Sequence, residues 1–144
     1  MNPAQQTVVI VSPALADANN GNWQTARRWQ QLLQSPGGAA LPRKARIVTQ
    51  WPDGPLAAKD QCMLALHARR SASSVAAWAN SRSSGQTDLA VTQPVPGLAV
   101  VLTGTDLYRD ILTDPLAQRS LELAQHLVVL QAMGLSALPI GLQA

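Results

Sequence analysis

Five short apolar runs recur along the chain, separated by longer stretches of mixed polarity. Each run is continuously apolar and rich in Val, Ile, Leu or Ala, a pattern typical of parallel strands that are buried on both faces. We therefore predict five central strands of one sheet. Their residues are 7–12, 45–49, 62–67, 97–103 and 126–131.

Helical periodicity characterises the stretches between these strands. Residues 22–34 repeat apolar side chains at helical spacing, and a Ser-Pro-Gly-Gly segment ends the pattern. Further helices are predicted over 71–80 and over about 115–125, where Pro115 suits a first turn. The expected inward faces are Ala26, Trp29, Leu32 and Leu33 in the first helix and Ala72, Val75, Ala76 and Ala79 in the second.

The order of these elements, β-α-β-β-α-β-α-β-α, predicts the fold class. Right-handed crossovers between parallel strands place helices on both faces of a sheet. We therefore predict an α/β fold, a Rossmann-like, open, doubly wound parallel sheet of about five or more strands. With 144 residues, the chain is expected to form one domain, residues 1–144.

Composition narrows the functional classes only slightly. Eleven Lys and Arg against eight Asp and Glu give a net charge of +3, too small to indicate nucleic-acid binding. The single Cys62 excludes an internal disulfide and fits a reducing compartment. The apolar run near the N-terminus is too short for a signal peptide or a membrane span. We therefore expect a cytoplasmic protein that binds neither nucleic acid nor membrane.

Polar clusters follow three of the predicted strands. In open α/β sheets, ligands bind beyond the carboxyl ends of the strands, where helix N-termini also point their N–H groups. The three clusters are therefore candidate site residues. They are Asn20, Gly21, Asn22 and Thr25 after the first strand, His67, Arg69, Arg70 and Ser71 after the third, and Thr103, Gly104, Thr105, Asp106, Tyr108 and Arg109 after the fourth.

Each cluster also has a structural alternative. Gly21 or Asn22 can cap the first helix, and Ser71 the second. His67 can be a satisfied structural residue rather than a base. Arg69 and Arg70 can be a solvated pair, although an arginine at this position is also suited to hold a phosphate.

Several common motifs are absent from the sequence. It has no GxGxxG after the first strand, no GxxxxGK[ST], no GxSxG and no metal-ligand spacing of His or Cys. These absences disfavour dinucleotide dehydrogenases, P-loop enzymes, serine hydrolases and zinc sites. We expect neither a metal nor a cofactor.

Four segments carry a family resemblance: GNWQTARRW (21–29), LALHARRSA (64–72), VLTGTDLYRDI (101–111) and SLELAQHLVVLQ (120–131). From about residue 7 to its end, the chain resembles the N-terminal half of the selenosugar synthases of selenoneine biosynthesis. These enzymes form a branch that resembles the family-4 glycosyltransferases with the GT-B fold. The loop LADANN (15–20) departs from the Gly or basic residues expected there.

The resemblance implies an enzyme that joins selenophosphate to the sugar of UDP-N-acetylglucosamine. Such enzymes have two Rossmann-like domains with the active site between them. These residues would form the acceptor-side N-terminal domain, and the C-terminal nucleotide-sugar domain has no matching tract here. The chain alone is therefore expected to be inactive.

Within this interpretation the catalytic candidates are Thr25 and Asp106, and the other clustered residues bind substrate. The selenium of selenophosphate is already nucleophilic, so its site needs donors and positive charge more than a base. Thr25 would be one donor, and Arg69 or Arg70 would supply the charge. Asp106 would accept from a sugar hydroxyl or orient Thr103 or Arg109.

Two other classes stay open on the sequence. One is a non-catalytic, flavodoxin-like binding or regulatory module. The other is a stand-alone interaction protein that buries its strand ends against a partner.

Overall fold

The structure, a computed structural model, describes residues 7–13, 21–35, 43–82, 94–103, 106–129 and 138. Strands and helices alternate along these residues. In chain order the elements are β1 (Thr7–Val11), α1 (Gly21–Gln34), β2 (Lys44–Val48), a 3-10 helix (Pro55–Lys59), β3 (Cys62–Leu66), α2 (Ala72–Arg82), β4 (Val95–Leu102), a π-helical turn (Asp106–Asp110), α3 (Ile111–Thr113), α4 (Pro115–Leu123) and β5 (Ala124–Val129).

The five strands form one sheet in the order β2-β1-β3-β4-β5, and every neighbouring pair is parallel. This confirms the predicted α/β class and all five strands, with ends that shift by one or two residues. The helix predicted to follow β5 lies outside the described residues. The strand order is also that of flavodoxin-like doubly wound sheets. Topology alone therefore does not separate a glycosyltransferase domain from a flavodoxin-like binding or regulatory module.

Helices cover both faces of the sheet. On one face, Ala26 of α1 is fully buried against Ile10, Leu66 and Val101. On the other face, α2 and α4 cover alternate residues of the same strands. These two layers form the hydrophobic core. Fully burying one large apolar side chain in such a core stabilises the folded state by about 1.5–3 kcal/mol.

The predicted helix faces are correct in part. Trp29 and Leu33 of α1 are partly buried against the apolar cluster between this helix and the sheet, as predicted. Leu32 is 51% exposed, so its predicted inward position is wrong. In α2, Val75 and Ala79 are buried as predicted. Trp78, which was not among the predicted inward residues, is fully buried and contacts Trp51 with ring centroids 5.0 Å apart.

A buried carboxylate joins β2 to the segment before β3. Asp60 accepts hydrogen bonds from Arg46 Nε (3.0 Å), from Arg46 Nη2 (2.6 Å) and from Trp51 Nε1 (3.0 Å). Arg46 also binds both carboxylate oxygens of Asp53 at 2.7 Å. Bidentate pairs of this kind fix geometry as well as charge.

Candidate functional site

The carboxyl ends of β1, β3 and β4 lie side by side, because these strands are neighbours in the sheet. From β1, the next strand in the chain, β2, is added on one side of the sheet. From β3, the following strands β4 and β5 are added on the other side, so the order in which strands are added reverses between β1 and β3. Such a reversal opens a crevice at the strand ends, where open α/β sheets bind ligands. The described residues of the polar clusters that follow β1, β3 and β4 therefore belong to one edge, as the sequence predicts.

The first cluster lies at the start of α1. Gly21 is the first residue of the helix and Asn22 the second, while Asn20 lies outside the described residues. Thr25 follows one turn later and is half-buried. It lines a groove of about 490 Å³ together with Arg28 and Trp29 of the same helix. The hydroxyl of Thr25 is thus placed on a concave surface.

Hydrogen bonds hold the turn between β3 and α2 in place. The backbone N–H of His67 donates to the carbonyl of Val101 (2.9 Å). The hydroxyl of Ser120, on α4, donates to the carbonyl of Ala68 (2.7 Å). The hydroxyl of Ser71 donates to the carbonyl of Leu66. These hydrogen bonds attach the turn to β3, β4 and α4.

His67 and Ser71 are buried within this turn, at 3% and 1% exposure. Their burial favours structural roles for both residues over direct contact with a ligand. The role of Ser71 is not the predicted side-chain cap of α2, because its hydroxyl donates to the carbonyl of Leu66. His67 also has a backbone φ of +74°, a left-handed conformation that is uncommon outside glycine.

The two arginines of the turn differ in their partners. Arg69 Nε lies 3.2 Å from Asp114 Oδ2, and Arg69 Nη1 lies 4.0 Å from Asp110 Oδ1. Arg70 is exposed, and no acidic group of the described residues pairs with its guanidinium. Of these two arginines, Arg70 is therefore the one whose charge, beside the N-terminus of α2, is compensated by no described acidic group.

The third cluster follows β4. Thr103 is half-buried, and Tyr108 and Arg109 are exposed. Gly104 and Thr105 lie outside the described residues, as does the side chain of Asp106. The Nε of Arg109 donates to Asp110 Oδ1 at 3.3 Å, so the neighbouring Asp110 is the described carboxylate that orients Arg109.

Asp110 is a residue of this edge that the sequence did not single out. It is 5% exposed, and its Oδ2 atom lies 3.7 Å from His67 Nε2. That oxygen is buried and has no hydrogen-bond partner among the described residues. A buried polar atom without a partner is rare in folded proteins. The only sequence signal was its position in the polar segment after β4.

A second groove, of about 550 Å³, lies at the opposite edge of the sheet, near the starts of β1 and β2. Arg43, Lys44 and Lys59 line it together with the exposed Leu56. The amino ends of parallel strands are not where open α/β sheets bind ligands, so this groove is separate from the candidate site.

No protein-family model matches the sequence, and no curated protein is significantly similar to it. The described helices include none with the length and hydropathy needed to cross a bilayer. Within the same residues, no group of three or more His, Cys, Asp or Glu side chains is arranged to hold a metal ion.

Proposed function

We propose that this chain is the acceptor-side, N-terminal domain of a GT-B glycosyltransferase that joins selenophosphate to the sugar of UDP-N-acetylglucosamine. The proposal combines the family resemblance of the sequence with the polar edge of the sheet. The nucleotide-sugar grip would come from a second Rossmann-like domain facing that edge. The expected location is the cytoplasm.

The observation that carries the proposal is that Arg69 and Arg70 differ in the acidic partners of their guanidinium groups. Arg69 is compensated by Asp114, whereas Arg70 has no acidic partner in the described part of the chain. An exposed guanidinium beside a helix N-terminus favours a bound anion through both its charge and the N–H groups of the helix. Selenophosphate is an anion of the kind that such a site would bind.

The proposed reaction needs little proton transfer from the protein. Selenium of selenophosphate attacks C1 of the sugar, the C1–Se bond forms, and the C1–O bond to UDP breaks as UDP leaves with its electron pair. Water then attacks the phosphorus of the selenosugar phosphate and the Se–P bond breaks. Inorganic phosphate is released, and selenium keeps the electron pair and takes a proton from the water, which gives the free selenosugar. Arg70 and the donors at the starts of α1 and α2 would hold the acceptor anion in line with C1.

The residues near the anion suit this role better than general-base catalysis. The Nδ1 atom of His67 accepts a hydrogen bond from the backbone N–H of Arg70 (3.2 Å), and Nε2 faces Asp110. Both ring nitrogens are thus turned into the protein. Thr25 and Asp106 stay the catalytic candidates, as a donor and as an acceptor for a sugar hydroxyl.

The test uses the purified 144-residue chain, with and without a separately expressed nucleotide-sugar domain. We expect calorimetry to detect selenophosphate binding to the chain alone, and selenosugar to form only when the second domain is added. The absence of selenophosphate binding would contradict the proposal. The chain alone is expected to be inactive because one domain cannot exclude water from a cleft that two domains form. Selenosugar production by the chain alone would therefore contradict the two-domain interpretation.

The strand order β2-β1-β3-β4-β5 is equally compatible with a second candidate, a non-catalytic flavodoxin-like binding or regulatory module. A thermal-shift measurement with UDP-N-acetylglucosamine on a longer chain that includes the second domain separates the two. Stabilisation by the UDP-sugar supports the transferase. No shift, together with no turnover, supports the module.

A further inference from the structure

Asp110 brings a negative charge into a group of cationic side chains. Its Oδ1 atom accepts from Arg109 Nε and lies 4.0 Å from Arg69 Nη1. Its Oδ2 atom is buried and unpartnered among the described residues, and it faces His67 Nε2. The two arginines account for one carboxylate oxygen only. The orientation of the second oxygen toward the imidazole is not explained by charge pairing with either arginine.

The hydrogen bonds of His67 define the protonation of its ring. Because Nδ1 accepts from the backbone N–H of Arg70, that nitrogen carries no proton. The proton of the neutral ring is therefore on Nε2, the atom that lies 3.7 Å from Asp110 Oδ2. A shift of less than about 1 Å would bring this donor and the buried acceptor into hydrogen-bond range.

We infer that Asp110 is a positioning residue that acts through His67 on the turn bearing Arg70. Asp110 orients the imidazole by accepting from Nε2–H, and the imidazole in turn holds the backbone N–H of Arg70 through Nδ1. The backbone of His67 is left-handed at this turn, and its ring accepts from the N–H group three residues further along the chain. The effect on ligand binding rests on the proposed anion site, whereas the hydrogen-bond chain does not.

The first measurement concerns the ring itself. Long-range ¹H–¹⁵N correlation spectra of the ligand-free chain at pH 8 report which nitrogen of each neutral imidazole is protonated. The chain has two histidines, His67 and His126, so a His126→Gln variant assigns the spectrum. We expect the Nε2–H tautomer for His67. The Nδ1–H tautomer would overturn the inference, because Nδ1 could not then accept from Arg70.

The second measurement is a double-mutant cycle read out by amide hydrogen exchange at Arg70. Asp110→Asn keeps the shape of the side chain and removes its charge. We expect exchange at Arg70 to accelerate by about 2- to 10-fold, the range that the loss of one hydrogen bond gives. Asp114→Asn removes another carboxylate near Arg69 but retains a good helix cap, so exchange at Arg70 should not change.

The double-mutant cycle compares the effect of Asp110→Asn in the native chain with its effect in a His67→Asn variant. Asparagine tolerates the left-handed backbone and can still accept from the N–H of Arg70, but it has no atom equivalent to Nε2. If Asp110 acts through the imidazole, Asp110→Asn has no further effect on Arg70 exchange in this background. An equal acceleration in both backgrounds would show that Asp110 acts through the arginines instead, and would overturn the inference. Should Asp110→Asn fail to fold, Asp110→Glu, which displaces the charge, replaces it in the same cycle.

Ligand affinity completes the test. With selenophosphate as probe, Asp110→Asn should lower affinity about 3- to 10-fold in the native background and leave it unchanged with His67→Asn. If the native chain binds no selenophosphate, the proposed function fails, while the tautomer and the exchange cycle still decide the role of Asp110.

Discussion

Nε of Arg69 lies 3.2 Å from Oδ2 of Asp114, and the other carboxylate oxygen of Asp114 accepts from the N–H groups of Leu116 and Ala117 at the start of α4. One aspartate therefore caps a helix and compensates an arginine on a different turn. Arg70, next in the chain, has no acidic partner among the described residues. Two adjacent arginines thus have different electrostatic environments.

The first prediction concerns these arginines. Arg70→Met should lower the affinity for selenophosphate by about 10-fold or more, since a hydrogen bond to a charged group is worth about 1.5–3 kcal/mol. Arg69→Met should change affinity less than about twofold, because its charge is already compensated. Calorimetric titration measures both.

Arg43→Met is the matched control, because it removes the same charge at the opposite edge of the sheet. It corrects for the general loss of positive charge. Equal losses of affinity for Arg69→Met and Arg70→Met would contradict the assignment of the anion to Arg70.

The second prediction concerns the buried Asp60. Removing Arg46 would leave this carboxylate, which is 2% exposed, with Trp51 as its remaining described side-chain donor. Breaking a buried ion pair on one side typically costs about 3–5 kcal/mol, so Arg46→Met should lower the free energy of unfolding by about 3 kcal/mol or more. Urea denaturation followed by circular dichroism measures the change. A loss below about 1 kcal/mol would show that Asp60 is stabilised mainly by its other contacts.

The third prediction concerns acid stability. Hydrogen bonds from Arg46 lower the pKa of Asp53 below its ordinary value of 3.8. A carboxyl group with a lower pKa in the folded state stabilises the protein above the unfolded pKa, and this stabilisation is lost as pH falls through the folded pKa. The free energy of unfolding should therefore fall more steeply below about pH 4 in the native chain than in Asp53→Asn.

The contribution of Asp53 at neutral pH should be small, below about 1 kcal/mol, because its side chain is partly exposed and solvent screens the pair. Urea denaturation of both proteins between pH 7 and pH 3 tests the prediction. Parallel pH dependences would indicate that Asp53 is not coupled to folding.

The fold was predictable because continuous apolar runs report burial on both faces, a local property of the sequence. The prediction for Leu32 was wrong because Leu32 and Leu33 are neighbours on a helix and point in different directions. Leu33 packs partly buried against the core, and Leu32 is exposed. The candidate edge was predictable from strand ends alone. The partners of the individual side chains could not be predicted, because the contacts of Arg69 with Asp114 and of His67 with Asp110 join segments that are distant along the chain.

The fourth prediction concerns Gly97, at the irregular start of the β4–β5 pairing. Its φ is +78°, and a Cβ atom there would lie 2.7 Å from the carbonyl oxygen of Gln61. Gly97→Ala should therefore destabilise the protein by about 2–4 kcal/mol through backbone strain and overlap. Gly21→Ala is the control, because a Cβ atom there meets nothing within 4 Å. Equal melting temperatures for the two variants would contradict the argument.

The last prediction concerns Thr25. Its side chain is half-buried on the groove along α1, one turn after the start of the helix. Thr25→Val keeps the branched shape and replaces the hydroxyl with a methyl group, so the melting temperature should change little. If the hydroxyl donates to the acceptor anion, selenophosphate affinity should fall about 2- to 10-fold, the range expected for one hydrogen bond. The exposed Thr113 on α3 offers the same change as a control, Thr113→Val. An unchanged affinity in Thr25→Val would remove Thr25 from the acceptor site, and the anion would then depend on Arg70 and the start of α2.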